Sequence, residues 1–226
     1  MRRLRAIVLD MDGTLTLPGA IDFARLRTRL ACPPEHDVLT WCEMAPSPAE
    51  RASRSAMVVE EEMVGLRGTT LMPDVGALSA FASARPSLRW GLLTRNNAAT
   101  AAHNVAALRA AGLTFHAALS REWAGGPPKP HPAALQHLAA SWGLHAAELA
   151  MVGDAADDIS CARAAGATAI LIGAGEEPGA REGAHHCVAS LTELVALLGG
   201  LVAPDGGASE GASGPRAPPA PGQLNT

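Results

Sequence analysis

Hydrophobic and polar positions follow one another along this chain in two rhythms, short unbroken apolar runs and longer stretches at helical spacing. Ala6 to Leu9, "LRWGLLT" (Leu88 to Thr94), "FHAALS" (Phe115 to Ser120), "ELAMVGD" (Glu148 to Asp154) and "ATAILIG" (Ala167 to Gly173) read as strands, with helix-like segments between them. Ala98, Ala101, Ala102, Val105 and Leu108 repeat at helical spacing before Gly112. Pro132 opens a segment carrying Leu135, Leu138 and Trp142, and Ile159, Ala162 and Ala165 precede Gly166. A weaker last pair, "HHCVAS" and "LTELVALL", predicts an edge strand and a closing helix. Strands alternating with helices predict an α/β fold, a Rossmann-like parallel sheet flanked by helices.

Two segments break the alternation. Residues 17–72 read as helical throughout: Ser47, Pro48 and Glu50 form a helix start, and Ala52, Ala56, Val59, Met63 and Leu66 lie on one stripe until Gly68. Phe23, Leu26 and Leu30 make a shorter stripe that Pro33 and Pro34 stop. This predicts a small helical insertion at 17–72, between a core built from 1–16 and 73–200. Residues 201–226, rich in Gly, Pro, Ala and Ser, have little to bury and are expected to be an unstructured tail.

Composition narrows the partners. At 226 residues the chain can bury one sizeable core and a modest second unit. A net charge of −4, with no basic cluster beyond the first residues, predicts neither nucleic acid nor membrane as a partner. No apolar run approaches a signal peptide's central region or a membrane span. Cys32, Cys42, Cys161 and Cys187 include no C-x-x-C pair, which predicts reduced packing thiols in the cytoplasm or another reducing intracellular compartment.

The polar residues that end the apolar runs carry the chemistry. In an open parallel sheet the carboxyl ends of the strands form the ligand crevice. Asp10 and Asp12, Thr94, and Asp154 with Asp157 and Asp158 stand at such ends, and Lys129 lies in the loop "GGPPKPHP". This set suits phosphoryl transfer. A carboxylate nucleophile needs cations against the phosphoryl oxygens, and a second acid can protonate the leaving alcohol and then activate water. Asp10 and Asp12 can divide those roles. Asp154 and Asp158 offer hard oxygen ligands for Mg²⁺, Thr94 a hydroxyl donor to phosphate, and Lys129 a compensating charge.

"DMDGT", "LLTRN", "KPHP" and "GDAADD" together resemble the four motifs of the haloacid dehalogenase superfamily, in the order found in its phosphatases. The resemblance runs from about Leu4 to Leu198. It implies Asp10 as nucleophile, Asp12 as general acid and base, Thr94 and Lys129 as phosphate-binding residues, Lys129 also serving catalysis, and a Mg²⁺ site drawn from Asp10, Asp12, Asp154 and Asp158. The insertion at 17–72 then takes the place of a helical cap, and the reaction is hydrolysis of a small phosphorylated metabolite by a monomer or homodimer.

Competing readings differ in what they require. A receiver domain shares clustered acids, a threonine and a lysine, but not the D-x-D-G-T start or the insertion. A dehalogenase has no need of Asp12 or the metal acids. A phosphosugar mutase shares every core motif and differs in the cap, and a non-catalytic phosphate-binding protein is expected to lose a motif residue. Asp157 reads as a solvated neighbour of the metal acids, and His185, His186 and Cys187 as an edge strand rather than a metal site. Arg25 and Arg29, four apart on one helix face, read as a solvated face or as contacts to a substrate anion.

Overall fold

The computed structural model describes residues 3–173, 179–203 and 223–224, the last two in backbone only. The chain divides into two compact units, Met1–Thr16 with Leu71–Thr226, and Leu17–Thr70. In chain order, β1 (Ala6–Leu9) precedes the three helices of the inserted unit, α1 (Phe23–Leu30), α2 (Val38–Glu43) and α3 (Pro48–Gly65). Then follow α4 (Val75–Ser83), β2 (Arg89–Leu93), α5 (Ala98–Ala110), β3 (Ala117–Leu119), α6 (Ala133–Ser141), β4 (Leu149–Gly153), α7 (Ala156–Ala165), β5 (Thr168–Ile172), α8 (Ala180–Gly183), β6 (His186–Val188), α9 (Leu191–Leu201) and β7 (Gln223–Leu224).

The larger unit is built on one sheet of order β6-β5-β4-β1-β2-β3-β7, parallel except where β7 runs antiparallel to β3. Successive side chains of a strand point to opposite faces, and both faces here are covered, which is why the strands read as apolar runs. Ile7, Leu9, Trp90 and Leu92 pack with Leu78 of α4, Leu108 of α5 and Leu194 of α9. Ala6, Val8, Met151 and Leu171 pack with Leu138 of α6 and Ile159 of α7.

Three expectations need correcting. Leu71 and Met72 belong with the sheet: Leu71 bridges Thr16, and the Met72 N–H donates to the Leu15 carbonyl at 2.8 Å. The tail expectation fails at Leu201, which ends α9, and at Val202, which is buried and bridges Leu4. It fails again at Gln223–Leu224, whose backbone pairs with Leu119 and Ala118 and satisfies an otherwise open sheet edge; residues 204–222, 225 and 226 lie outside the described residues.

The third correction concerns the inserted unit, whose core is Leu26, Leu30, Cys32, Val38, Cys42 and Val58. Val59 and Met63 of the expected α3 stripe are 36% and 44% exposed, whereas Val58, Glu61, Glu62 and Gly65 are buried. An apolar-periodicity reading discounts glutamate. Here the buried Glu61 is neutralised by Arg25, at 2.5 Å, and by Arg29, at 3.5 Å. Arg29 also pairs with Glu60 at 2.5 Å, so both arginines are engaged inside their own unit. Among the described residues no helix is long and apolar enough to cross a membrane. Cys32, Cys42 and Cys161 are buried and form no disulfide, and Cys187 is exposed.

Candidate active site

Strand register brings the motif residues to one edge. Leu9 of β1 lies opposite Leu92 of β2 and Val152 of β4, so Asp10, Thr94 and Asp154 follow their strands at nearly the same level. The Asp10 N–H donates to the Val152 carbonyl at 2.9 Å, and the Thr94 N–H to the Leu119 carbonyl at 3.0 Å. The chain builds outward from β1 through β2 to β3, then returns to place β4 on the other side of β1. The acids therefore gather at the switch point, where an open sheet has its crevice.

Lys129, in the loop between β3 and α6, donates to Asp10 Oδ1 at 2.5 Å and to Asp158 Oδ1 at 2.6 Å. Burial opposes the charge on Lys129, but the two carboxylates outweigh it and hold the ammonium above the ordinary lysine range. Asp158, in the first turn of α7, also accepts from the Ala155 N–H at 3.2 Å. Burial pushes its carboxyl up against the pull of Lys129, and the negative charge of Asp10 adds to the rise. Burial is the largest influence on Asp158, so its carboxyl rises even with the Lys129 ammonium beside it. The ammonium is stabilised by both carboxylates.

Asp10, Asp154 and Asp158 each offer a carboxylate oxygen within 4.8 Å of the others. Three carboxylates facing one ammonium leave surplus negative charge where burial makes it costly, and all the donors are hard oxygens. That donor set fits Mg²⁺. Two glycines make room for it. A Cβ on Gly13, which has φ +76°, would lie 2.0 Å from Asp154 Oδ2, and a Cβ on Gly153 would lie 2.1 Å from Asp158 Oδ2.

Asp12 is not in that group of three. Its Oδ2 accepts from Asn96 Nδ2 at 2.6 Å and its Oδ1 from Thr16 Oγ1 at 3.2 Å. Burial, then the charge of Asp10, pushes the Asp12 carboxyl above its ordinary range, and the bonds from Asn96 and Thr16 act the other way. Thr94 is buried; its Oγ1 accepts from the Asn96 N–H at 3.1 Å, which leaves the hydroxyl proton to donate elsewhere. Asp157 pairs with Arg95 at 2.5 Å instead of standing alone. His185 Nδ1 accepts from the Ala169 N–H at 2.9 Å, and no metal-ligating cluster forms around it among the described residues.

Sequence reasoning missed Asn96, Thr16, Gly13 and Gly153. A signal existed for the first. "NN" ahead of a helix contains one residue more than a cap requires, and the cap is Asn97, which accepts from the Thr100 N–H.

The haloacid dehalogenase-like hydrolase family model matches residues 4–166. A haloacid dehalogenase-like hydrolase domain-containing protein of Arabidopsis thaliana is 34% identical over 75% of this chain and 71% of its own length. A phosphoglycolate phosphatase of Yersinia pestis is 30% identical over 88% of this chain and 94% of its own length. Among solved structures, a hydrolase from Pseudomonas syringae has a TM-score of 0.72 at 18% identity, covering 88% of this chain and 100% of that one, a likeness of fold. With a family match over most of its length and a sheet that carries the acids at its switch point, this chain belongs to the haloacid dehalogenase-like hydrolase family.

Proposed function

We propose that this hydrolase of phosphoric monoester bonds is a Mg²⁺-dependent phosphatase acting on a small phosphorylated metabolite through an aspartyl phosphate on Asp10. One observation carries the reading: Lys129 bridges Asp10 and Asp158 in a buried site where Asp154 supplies a third carboxylate. Thr94 donates to a phosphoryl oxygen and Lys129 offsets its charge. The Asp10 carboxylate attacks phosphorus, the bond from phosphorus to the leaving oxygen breaks, and Asp12 gives that oxygen its proton. Asp12 then takes a proton from water as the water attacks the aspartyl phosphate, which releases inorganic phosphate and restores Asp10. Asp10, Asp154 and Asp158 would hold Mg²⁺, which when bound would supply positive charge against the phosphoryl oxygens. The unit Leu17–Thr70 serves as the cap that selects the leaving group.

The relatives named phosphoglycolate phosphatase support a small anionic substrate. The test is phosphate release from a panel of phosphomonoesters with Mg²⁺ and with a chelator. Turnover that needs Mg²⁺ on at least one small substrate is expected, and turnover unaffected by chelation would overturn the metal assignment.

A further inference from the structure

Asn96 is explained neither by the four motifs nor by helix capping. It is 5% exposed, and a buried amide is costly unless its polar atoms are paired. Its side chain donates to Asp12 Oδ2 at 2.6 Å, its N–H donates to Thr94 Oγ1 at 3.1 Å, and its carbonyl accepts from the Arg121 N–H at 3.1 Å. One residue of the loop after β2 thus grips both the hydroxyl that ends its own strand and a carboxylate 84 positions away, beyond the end of β1.

We infer that Asn96 is a positioning residue for Asp12: it fixes the plane of the carboxylate so that the proton it carries is aimed at the leaving oxygen. The inference rests on the acid role proposed for Asp12. A carboxylate held at one oxygen can still turn about its own bond. Asn96 donates to Oδ2 at 2.6 Å, and the Thr16 hydroxyl, whose single proton is divided between Oδ1 and the Met11 carbonyl at 3.2 Å each, adds a second contact, so Asn96 is the firmer restraint on that turn. An amide nitrogen only donates, so it holds the acid without competing for its proton. It also adds no full positive charge. The neighbouring Arg95, which would bring one, is turned to Asp157 instead. Because the Asn96 N–H is on Thr94 as well, the acid and the phosphate-binding hydroxyl keep one spacing, which an in-line transfer requires.

Asn96→Leu keeps the volume and removes the donor. The measurement is kcat/KM, which reports steps up to departure of the leaving group, on an alkyl phosphate and on an aryl phosphate whose phenolate leaves unprotonated, with a melting curve for each variant. General acid catalysis contributes about 10²- to 10⁴-fold, so misaiming the acid should cost about tenfold or more on the alkyl ester and little on the aryl one. Adding Asn96→Leu to Asp12→Ala should cause no further loss. Asn96→Ala should repeat the pattern.

Equal losses on both esters with a native melting curve would overturn the inference, as would full additivity in the double variant. Loss of the native transition in both Asn96 variants would make the residue structural and overturn it too. If Asp12→Ala shows the alkyl bias and Asn96→Leu does not, only the Asn96 inference falls; if Asp12→Ala lacks the bias, the acid role itself falls.

Discussion

Gly13→Ala separates backbone strain from damage to the site. Gly13 has φ +76°, in the left-handed region, where an L side chain costs about 1–2 kcal/mol. For a protein of this size each kcal/mol lowers Tm by about 2–4 °C, so strain alone predicts a fall of about 2–8 °C. The added methyl would also lie 2.0 Å from Asp154 Oδ2 and 2.5 Å from its Cγ, closer than real Cβ contacts allow. A carboxylate at the end of a side chain can swing away at small cost in stability. It must move by roughly 1 Å, and a displacement of that size in a catalytic constellation costs about 10²-fold. Gly166→Ala is the matched control: Gly166 has φ +78° with nothing within 4 Å of its Cβ position. It should lose comparable Tm and keep its turnover. Melting by circular dichroism and phosphate release at saturating Mg²⁺ read the two effects separately. Near-wild-type turnover by Gly13→Ala, or an equal loss of turnover by Gly166→Ala, would refute the reasoning.

Further expectations concern the acid, a thiol and the inserted unit. Asp12→Ala should lower kcat/KM by about 10²-fold or more on an alkyl phosphate and far less on an aryl phosphate, as steady-state kinetics on the two esters will read. Burial pushes the Cys161 thiol up to about 12, so at about pH 8 it stays protonated and a poor nucleophile, while Cys187 is exposed. Iodoacetamide on the native protein should therefore label Cys187 and spare Cys161, as read by peptide mass spectrometry. Replacing Arg25 and Arg29 together by alanine strands the buried Glu61 carboxylate, so amide exchange in α1 and α3 should quicken, and adding Glu61→Leu should slow it again. Unchanged exchange would mean that the ion pairs hold nothing together.

What could be read from the sequence and what could not divide along physical lines. The buried parallel strands were legible because a strand covered on both faces is a continuous apolar run, and β1, β2, β4 and β5 fall within the runs that predict them. The acids that end those runs were legible for the same reason, since a strand end fixes where the next side chain stands. α3 was not. It buries Glu61 because two arginines from another helix reach it, a compensation between residues 36 positions apart that leaves no local pattern. Asn96 was hidden in the same way, because the carboxylate it bonds lies 84 positions away, beyond the end of β1. Gly13 and Gly153 were invisible because what they contribute is space for atoms of Asp154 and Asp158.

The most direct test of the central claim is chemical trapping of the intermediate. An aspartyl phosphate is an acyl phosphate, and borohydride reduces it to an alcohol, which marks the residue that carried it. Quenching the enzyme during steady turnover of an aryl phosphate, reducing with borohydride and mapping peptides by mass spectrometry should place the modification on Asp10 of "IVLDMDGTLT", and Asp10→Asn should show neither the mark nor turnover above background. Turnover that proceeds with no mark on Asp10, or a mark on another residue, would contradict the account.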